Sequence, residues 1–468
     1  MELDIQAVVE ELGRGGWRDQ RLGRRARVIG QRLSANPTLS FPKAFESEAE
    51  LEGAYRFFGN PLVNPDAILA GHFEATRERC ALEPCVLVIH DTTKCSFRED
   101  GERRGLGRIM TSGQAFFAQV ALAIADDGTR RPLGIPHLNT WVRGDEKVEA
   151  GSEHARWGKA IDAATTSLAG ASLIHVMDRE ADDYELLDHL VAANQLFIIR
   201  SFRDRILEGE VDSRRKLEQV VAQIEREVEF DAKLSKRTKA KRSQRQQKIH
   251  PSRSTRTAQL SVGFATVTLR KPRPHPRDSA KKKASQLAPS ITLNVVRVWE
   301  ANPPEGETAV EWVLLTNTVI ETVNDAVTVV ERYRARWTIE EYFKALKTGC
   351  AYETRQLEDY ESLINAFAVF APIACTMLAI RSEARRAPEA PGLTIITQDE
   401  LSVLRQVGRV KLPSSPTNQE ILLAIAAMGG HIKYNGLPGW RTLWSGYTDL
   451  KLLTRGWLAA KLQPASDQ

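Results

Sequence analysis

The stretch 85–201 alternates short apolar runs with helical segments, and this order constrains the fold more than any other feature. In chain order the pattern predicts three strands, a helix, a strand, a helix and a strand, at 85–91, 115–128, 132–142, 153–168, 171–178, 181–194 and 195–201. Three strands followed by alternating helix and strand are typical of a mixed α/β layer with a parallel portion. Ligands of such sheets collect beyond the carboxyl ends of strands, where the pattern places Asp91 and Asp178.

Residues 325–348 predict one helix, because they contain no Gly or Pro, open with Asp325 and are followed by Gly349. Its predicted core face consists of Ile339, Tyr342, Phe343 and Leu346. A polar stripe beside that face has spacings of 3, 4, 4 and 3 and consists of Tyr333, Arg336, Glu340, Lys344 and Lys347. A solvated face with ordinary ion pairs is the simpler interpretation. A carboxylate flanked by cations and a tyrosine also suits a polyanion held against a metal ion.

Charge, cysteine usage and hydropathy narrow the class of protein. Residues 231–290 contain 17 Lys or Arg against 2 Asp or Glu, in a chain whose net charge is only +5. Such concentrated basicity indicates a nucleic acid or another polyanion as partner. The five cysteines form no CxxC pair, which favours reduced thiols in a cytoplasmic protein. The apolar run 366–380 is shorter than the roughly 20 residues that span a bilayer, so we predict a buried helix and no membrane segment.

The segments outside the α/β pattern are helical or basic. Residues 1–70 read as a small helical module whose arginines either bind phosphates or form an ordinary basic helix pair. Residues 202–310 read as a β-rich insertion, with a charged helix at 208–228 and basic stretches at 233–248 and 272–283. After residue 349 the chain is again helical, and it ends in a tail that contains three tryptophans.

Three carboxylates stand out in this arrangement. Asp91 and Asp178 follow predicted strands, and Glu340 lies on the predicted helix far downstream. Three carboxylates at one sheet edge can hold two divalent cations about 3.5–4 Å apart, which suits phosphodiester cleavage. Oxygen ligands favour Mg²⁺ or Mn²⁺ over zinc. For either aspartate alone, a helix cap or a turn is the simpler interpretation.

The segments VIHDTT (88–93), VMDREAD (176–182) and YRARWTIEEYFKALK (333–347) resemble the three acidic motifs of bacterial DDE transposases of insertion-sequence family four, the family of the transposon-five transposase. The third segment fits that family's tyrosine–arginine–glutamate–lysine signature with Tyr333, Arg336, Glu340 and Lys347, at spacings of 3, 4 and 7. The resemblance extends to LEGAYRFFGNP (51–61), to NPPEGETAVEWVLLT (302–316) and weakly to GWRTLWSGY (439–447).

This resemblance implies an α/β fold, with a ribonuclease-H-like catalytic core that carries a β-rich insertion and is flanked by N-terminal and C-terminal helical domains. The implied domains are a DNA-end-binding domain at 1–70, a catalytic domain at 71–365 with the insertion at about 202–317, and a dimerisation domain at 366–468. The implied activity is cut-and-paste transposition by two-metal-ion hydrolysis, hairpin formation and strand transfer. Asp91, Asp178 and Glu340 are then the catalytic residues and the ligands of two Mg²⁺ ions, for which Mn²⁺ substitutes. Glu341 is also acidic, but Glu340 has the signature spacing.

The resemblance and the charge pattern together predict a set of DNA contacts. The predicted DNA-binding residues are Tyr333, Arg336, Lys344, Lys347, Trp312, Trp337, Arg179, Arg200, Arg21, Arg24, Arg25, Arg56 and Arg355. Trp312 lies 21 residues before Tyr333, where similar enzymes place a tryptophan that stacks on a flipped base; core packing is the alternative. Arg179 and Arg200 follow strands and have the fork geometry that clamps phosphates.

The implied partners are double-stranded DNA, as transposon ends and as target, and a second copy of the chain in a synaptic homodimer; no membrane and no small-molecule cofactor are expected. The apolar helix 366–380 and the tryptophan-containing tail motivate the dimer as well, since they offer more apolar surface than a small bundle buries. We expect a cytoplasmic protein that associates with the nucleoid. Two alternatives remain, a nuclease that cuts without joining and a catalytically silent DNA-binding repressor. The intact acids and the N-terminal region argue against the repressor.

Overall fold

The computed structural model describes residues 5–97, 102–109, 113–142, 150–208, 215–234, 252–273, 287–432 and 438–461. Most of the two predicted basic stretches lies outside these residues, as does 209–214 of the predicted charged helix. The chain forms two compact units. The first comprises Met1–Glu149, Ala160–Ser172 and Trp337–Gln468, and the second comprises Ala150–Lys159 and Leu173–Arg336.

Helices and strands are numbered here in chain order over the described residues. The helices are α1 (Ile5–Gly13), α2 (Gln20–Ala35), α3 (Phe41–Ala44), α4 (Glu48–Phe58), α5 (Pro65–Cys80), α6 (Ala150–Ser167), α7 (Tyr184–Ala192), α8 (Leu217–Gln223), α9 (Val323–Ala335), α10 (Trp337–Lys344), α11 (Tyr360–Arg386), α12 (Gln398–Val407), α13 (Asn418–Met428) and α14 (Trp440–Lys461). The strands are β1 (Val86–Phe97), β2 (Gly107–Ile109), β3 (Gly113–Ala125), β4 (Pro132–Trp141), β5 (Leu173–Met177), β6 (Leu196–Arg200), β7 (Val228–Leu234), β8 (Arg256–Arg270), β9 (Ser290–Trp299) and β10 (Glu311–Thr316). Short 3₁₀ turns lie at Arg179–Ala181, Tyr352–Thr354 and Gly392–Thr394, and a π turn lies at Ala345–Gly349.

The strands of the first unit are antiparallel. Strand β3 pairs along one edge with β1 and along the other with β2 and β4. The prediction that the first strand ends at Asp91 is wrong, because β1 continues to Phe97 and Asp91 lies near its middle, opposite Val120. Beyond Asp91 the buried positions alternate, so this half of the strand buries only one face. A one-sided strand lacks the continuous apolar run from which the sequence prediction was made.

Helix α11 is the core helix of the first unit. Its residues 362–378 are buried, and this confirms the buried helix predicted at 366–380. By length and composition α11 is apolar enough to cross a membrane, but 89% of the apolar window is buried inside the structure, as in the core helix of a globular protein. Asn365 places its amide within this core and donates to the carbonyl oxygens of Phe58 (2.9 Å) and Val63 (3.1 Å).

A buried polar network joins α1, α5 and β4. The Glu11 carboxylate lies 2.6 Å from His72 Nδ1 and accepts a 2.7 Å hydrogen bond from Arg79 Nη1. His72 Nε2 accepts the Ile135 N–H, so Nδ1 carries the proton that faces Glu11. Burial by itself raises the pKa of Glu11, but the hydrogen bond from His72 and the charge and hydrogen bond of Arg79 outweigh it and lower that pKa. The network fixes the N-terminal helices to a strand of the same unit.

The second unit is a mixed sheet with helices, in the strand order β5-β6-β10-β9-β8-β7. Strands β5 and β6 are parallel, whereas the other neighbours are antiparallel. Helix α9 packs against β5, β6, β8 and β9 of this sheet. These elements confirm the predicted mixed α/β class and the predicted strands at 171–178 and 195–201. Of the charged helix predicted at 208–228, the described part contains only α8, at Leu217–Gln223.

The single helix predicted at 325–348 is wrong, because two helices and a π turn occupy this stretch. Helix α9 is capped by Thr322, which exchanges hydrogen bonds with Asp325, and it ends at Ala335. The Arg336 N–H donates to the carbonyl of Tyr333, three residues back, and this tighter turn interrupts the α-helical ladder. Helix α10 follows, and its predicted apolar face is buried. Tyr333 and Arg336 therefore belong to the second unit, whereas the rest of the predicted polar stripe belongs to the first.

Candidate functional site

Asp91 and Glu340 lie on two elements of the first unit that pack together, β1 and α10. The Asp91 side chain is partly buried and accepts the N–H of Thr92 at 2.7 Å. Lys347 reinforces the same packing, since its ammonium donates to the carbonyl of Lys94 on β1. The structure thus brings two of the three predicted carboxylates onto adjacent elements.

The carboxylate of Glu341, the residue next to Glu340, is held by three hydrogen bonds within the first unit. Its carboxylate accepts hydrogen bonds from Lys344 Nζ (2.8 Å), Arg381 Nη1 (3.0 Å) and Trp440 Nε1 (3.2 Å). Burial alone raises the pKa of Glu341, but the hydrogen bond from Lys344 and the charge of Arg381 outweigh it and lower that pKa. Because its carboxylate accepts from three donors, Glu341 holds α10 against α11 and α14 and has a structural role. This favours Glu340 over Glu341 as the functional acid.

The lysines and the tryptophan of this segment differ in exposure. Trp337 is 52% exposed, and the Lys344 ammonium lies 5.3 Å from the centroid of its ring. Lys344 is also exposed, whereas Lys347 is half-buried and lies 3.5 Å from the Glu353 carboxylate. Trp337 and Lys344 are therefore accessible to a ligand, and Lys347 has a structural role between β1 and the segment after α10.

Asp178 follows β5 directly, as predicted, and begins the short 3₁₀ turn by accepting the Glu180 N–H at 2.8 Å. It lies close enough to Tyr333 to affect the titration of its hydroxyl. Burial raises the pKa of Tyr333, the positive charges of Arg200 and Arg336 lower it, and the Asp178 carboxylate raises it. The second unit thus brings together four predicted residues: the carboxylate of Asp178, the phenol of Tyr333 and the guanidinium groups of Arg200 and Arg336.

Trp312 borders the same cluster. Its ring lies 6.0 Å from the ring of Tyr333, at an interplanar angle of 59°, and it is only partly buried on β10. Arg200 is held beside it by a 3.1 Å hydrogen bond from Nη2 to the carbonyl of Glu311. An aromatic pair beside two guanidinium groups and a carboxylate can contact both a base and its phosphate.

Asp182 is a residue that the sequence analysis missed. It is buried, and its carboxylate accepts the N–H groups of Phe202 and Arg203, each at 2.7 Å, and a 2.5 Å hydrogen bond from Arg205 Nη2. These bonds fix the loop after β6, where Phe202 is 70% exposed with the Arg179 guanidinium 5.5 Å from its ring centroid. The available signal was a second aspartate four residues after Asp178.

The predicted N-terminal arginines lie on α2 and α4. Arg21 is largely exposed and pairs with Asp19, Arg24 is exposed, and Arg56 pairs with Glu52. Arg25 packs over Gly53, where an added Cβ would lie 2.0 Å from its Nη1, so a larger residue there would displace the guanidinium.

Arg355 has a different environment from the other predicted arginines. It is 3% exposed, and its guanidinium donates to the backbone carbonyls of Leu39, Pro37 and Cys350. Burial lowers the pKa of Arg355 to about 10. This guanidinium stabilises chain segments, and we assign it a structural role in place of the predicted DNA contact.

The donor chemistry of the three predicted ligands suits a hard divalent cation, because all are carboxylates. Within the part of the chain that the structure describes, no group of three or more His, Cys, Asp or Glu side chains is by itself arranged as a metal site. The five cysteines are free, as predicted.

Comparison with known proteins identifies two domains. Residues 6–63 match the family model of the transposase DNA-binding domain, and residues 159–371 match that of the transposase DDE domain. Asp178 and Glu340 lie inside the second match, whereas Asp91 precedes it. A piggyBac transposase synaptic complex with hairpin DNA, solved by cryo-EM, is similar over 100% of this chain and 83% of that one, with 8% identity and a TM-score of 0.38. That similarity is too low to support an argument. The two family matches show that the chain carries a transposase DNA-binding domain followed by a transposase DDE domain.

Proposed function

We propose that the protein moves an insertion sequence of family four by cut-and-paste transposition, with hairpin formation and strand transfer, on a ribonuclease-H-like core. One observation carries this proposal. Within the matched DDE region, the charges of Asp178, Arg200 and Arg336 all act on the Tyr333 hydroxyl, so an acid, a phenol and two cations that suit a phosphodiester share one part of the second unit.

We propose Asp91, Asp178 and Glu340 as the catalytic carboxylates. DDE domains are generally associated with divalent metal ions, and the all-oxygen donor set suits two Mg²⁺ ions, or Mn²⁺ in their place. Bound there, the ions would activate water and stabilise the leaving 3′ oxygen. The position of Glu340 depends on Glu341, which anchors α10 through Arg381 and Trp440.

The proposed DNA contacts fall into three groups. Arg179, Arg200, Arg336 and Tyr333 hold phosphates near Asp178, and Trp312 receives an unstacked base. Trp337 and Lys344 contact DNA beside Glu340, and Lys347 positions that segment from its half-buried place. Arg21, Arg24, Arg25 and Arg56 bind the element's ends from the N-terminal domain at 1–70, which includes the matched DNA-binding region.

We propose that the active species is a homodimer that bridges two DNA ends in the cytoplasm and holds together through residues 366–468. The apolar surface of this region does not support the dimer as expected from the sequence, because 366–378, Trp440 and Trp444 are buried within the first unit. The dimer proposal rests on the family resemblance and on α14, where Leu452, Leu453 and Leu458 are 56%, 41% and 36% exposed.

A linear DNA fragment that carries the element's two ends tests this function. With Mg²⁺, the full-length protein should cut at the ends and join the 3′ ends to target DNA. Cleavage without joining would identify a nuclease, and binding without cleavage would identify a silent repressor. Glu340→Gln should retain end binding in Ca²⁺ and lose cleavage. The matched control Glu389→Gln changes an exposed glutamate after α11 and should leave both unchanged.

A further inference from the structure

An open groove of about 500 Å³ lies in the first unit, between the β3–β4 turn, helix α10 and the C-terminal end of α11. Four arginines and one carboxylate line it, together with an exposed tryptophan. These residues are Arg130 from the turn, Trp337 and Glu341 from α10, and Arg381, Arg385 and Arg386 from α11. Of these, only Trp337 was among the DNA contacts predicted from sequence.

The groove has a net positive charge at its rim. Its one carboxylate, Glu341, is neutralised by Arg381 and Lys344. Arg386 pairs with Glu383, Nε to Oε2 at 2.9 Å, so much of its charge is offset locally. Arg385 is exposed and makes no salt bridge with any described residue. Burial and the neighbouring charge of Arg385 lower the pKa of Arg381 to about 10, which reflects how closely the cations lie.

The groove adjoins the helix that carries the proposed catalytic glutamate. Trp337 lies at the start of α10, three residues before Glu340. Residues three and four apart on a helix are neighbours on its surface, so a ligand on Trp337 is within one helical turn of Glu340. The Trp337 ring is 52% exposed, which leaves apolar aromatic surface beside an arginine cluster.

We propose that this groove binds one strand of DNA, with Arg130 and Arg385 on its phosphates and an unstacked base against Trp337. The inference rests on the proposed function, since it takes DNA as the substrate. Trp337 is exposed in the groove, and its ring can stack only on a base that is unpaired and unstacked. The groove therefore suits a single strand and not a paired duplex. Aromatic stacking accepts any base, so the groove binds strands of any sequence.

Two DNA probes test the groove in Ca²⁺ with full-length protein: a blunt duplex, and the same duplex with a short single-stranded extension. The wild type should bind the extended probe more tightly. Arg385→Ala and Arg130→Ala should each weaken binding of the extended probe about 10-fold and reduce its salt slope by about 0.7 per lost contact. Trp337→Ala should weaken it about 5-fold or more. Arg385→Lys keeps the charge and should retain most of the affinity.

Arg77→Ala is the matched control, because Arg77 is exposed on α5 outside the groove. It should bind both probes like the wild type, and all variants should melt at the wild-type temperature. If Arg385→Ala binds the extended probe like Arg77→Ala, the groove inference is overturned while the proposed function stands. If Arg385→Ala weakens both probes equally, the occupant is a duplex and the single-strand inference is also overturned. If the wild type binds neither probe, the proposed function itself fails.

Discussion

Replacing Asp182 by alanine is expected to lower the melting temperature of the second unit by about 6–20 °C and to impair cleavage. Asp182 is 1% exposed and Arg205 is 8% exposed. The carboxylate accepts two backbone N–H groups, the Arg205 guanidinium and, at 3.3 Å, the Ser201 hydroxyl. Truncation leaves all these donors without their acceptor and leaves a buried positive charge unpaired.

The magnitude follows from that burial. Removing one partner of a buried ion pair costs about 3–5 kcal/mol. In a unit of this size 1 kcal/mol shifts the melting temperature by about 2–4 °C, which gives the range stated. Cleavage should fall as well, because the loop that Asp182 fixes carries Phe202 and its contact with Arg179, next to Asp178.

Circular dichroism melts of full-length protein measure the effect, with Asp183→Ala as the control. Asp183 is the neighbouring residue; it caps α7 through the Glu185 N–H and lies 3.7 Å from the guanidinium of Arg203, which is half exposed. Its loss should cost about 1 kcal/mol. The double variant Asp182→Ala/Arg205→Leu should recover part of the lost stability, because no charge then stays buried alone. A shift for Asp182→Ala no larger than that for Asp183→Ala would refute the reasoning.

Three further outcomes are expected. DNA binding should be strongly salt-dependent: if six phosphates are neutralised, affinity should fall on the order of 10³-fold between 50 and 200 mM salt, and a flat titration would contradict a nucleic-acid substrate. The pKa of Glu11 is lowered in the fold, so its contribution to stability is present above its ordinary pKa of 4.5 and is lost as the pH falls through the lowered value. Glu11→Gln should flatten that part of the pH–stability curve measured by melting, and an unchanged curve would count against the network with His72. Leu452→Lys with Leu453→Lys should abolish the DNA-bound dimer in light scattering without lowering the melting temperature, and an intact dimer would remove α14 from the interface.

Local patterns predicted most strands and the core helix, because continuous apolar runs and the absence of charge are properties of the segment itself. The position of Asp178 at a strand end followed from the same pattern. The second half of β1 could not be predicted from a local pattern, since its one-sided burial depends on what packs against it. The turn at Arg336 also has no signal in the sequence, because neither Gly nor Pro accompanies it.

Long-range partners explain the remaining differences. From the sequence, Arg355 is expected to be an accessible basic residue after a glycine. In the structure its guanidinium donates to the carbonyl oxygens of Leu39 and Pro37, which are more than 300 residues away in the chain. In the sequence Asp182 is only part of an acidic motif. The folded loop after β6 supplies the N–H groups of Phe202 and Arg203 that donate to its carboxylate. A buried charge is stable only beside a partner, and a partner distant in the chain cannot be read from spacing.

Metal-specific rescue tests the central claim most directly. Asp91, Asp178 and Glu340 are each replaced by cysteine, and DNA-end cleavage is measured in Mg²⁺ and in Mn²⁺. A thiolate is a poor ligand for Mg²⁺ and a better one for the softer Mn²⁺. Each variant should therefore be inactive in Mg²⁺ and regain part of its cleavage in Mn²⁺, while Glu389→Cys remains active in both. A cysteine variant that cleaves normally in Mg²⁺ would contradict metal binding by that carboxylate.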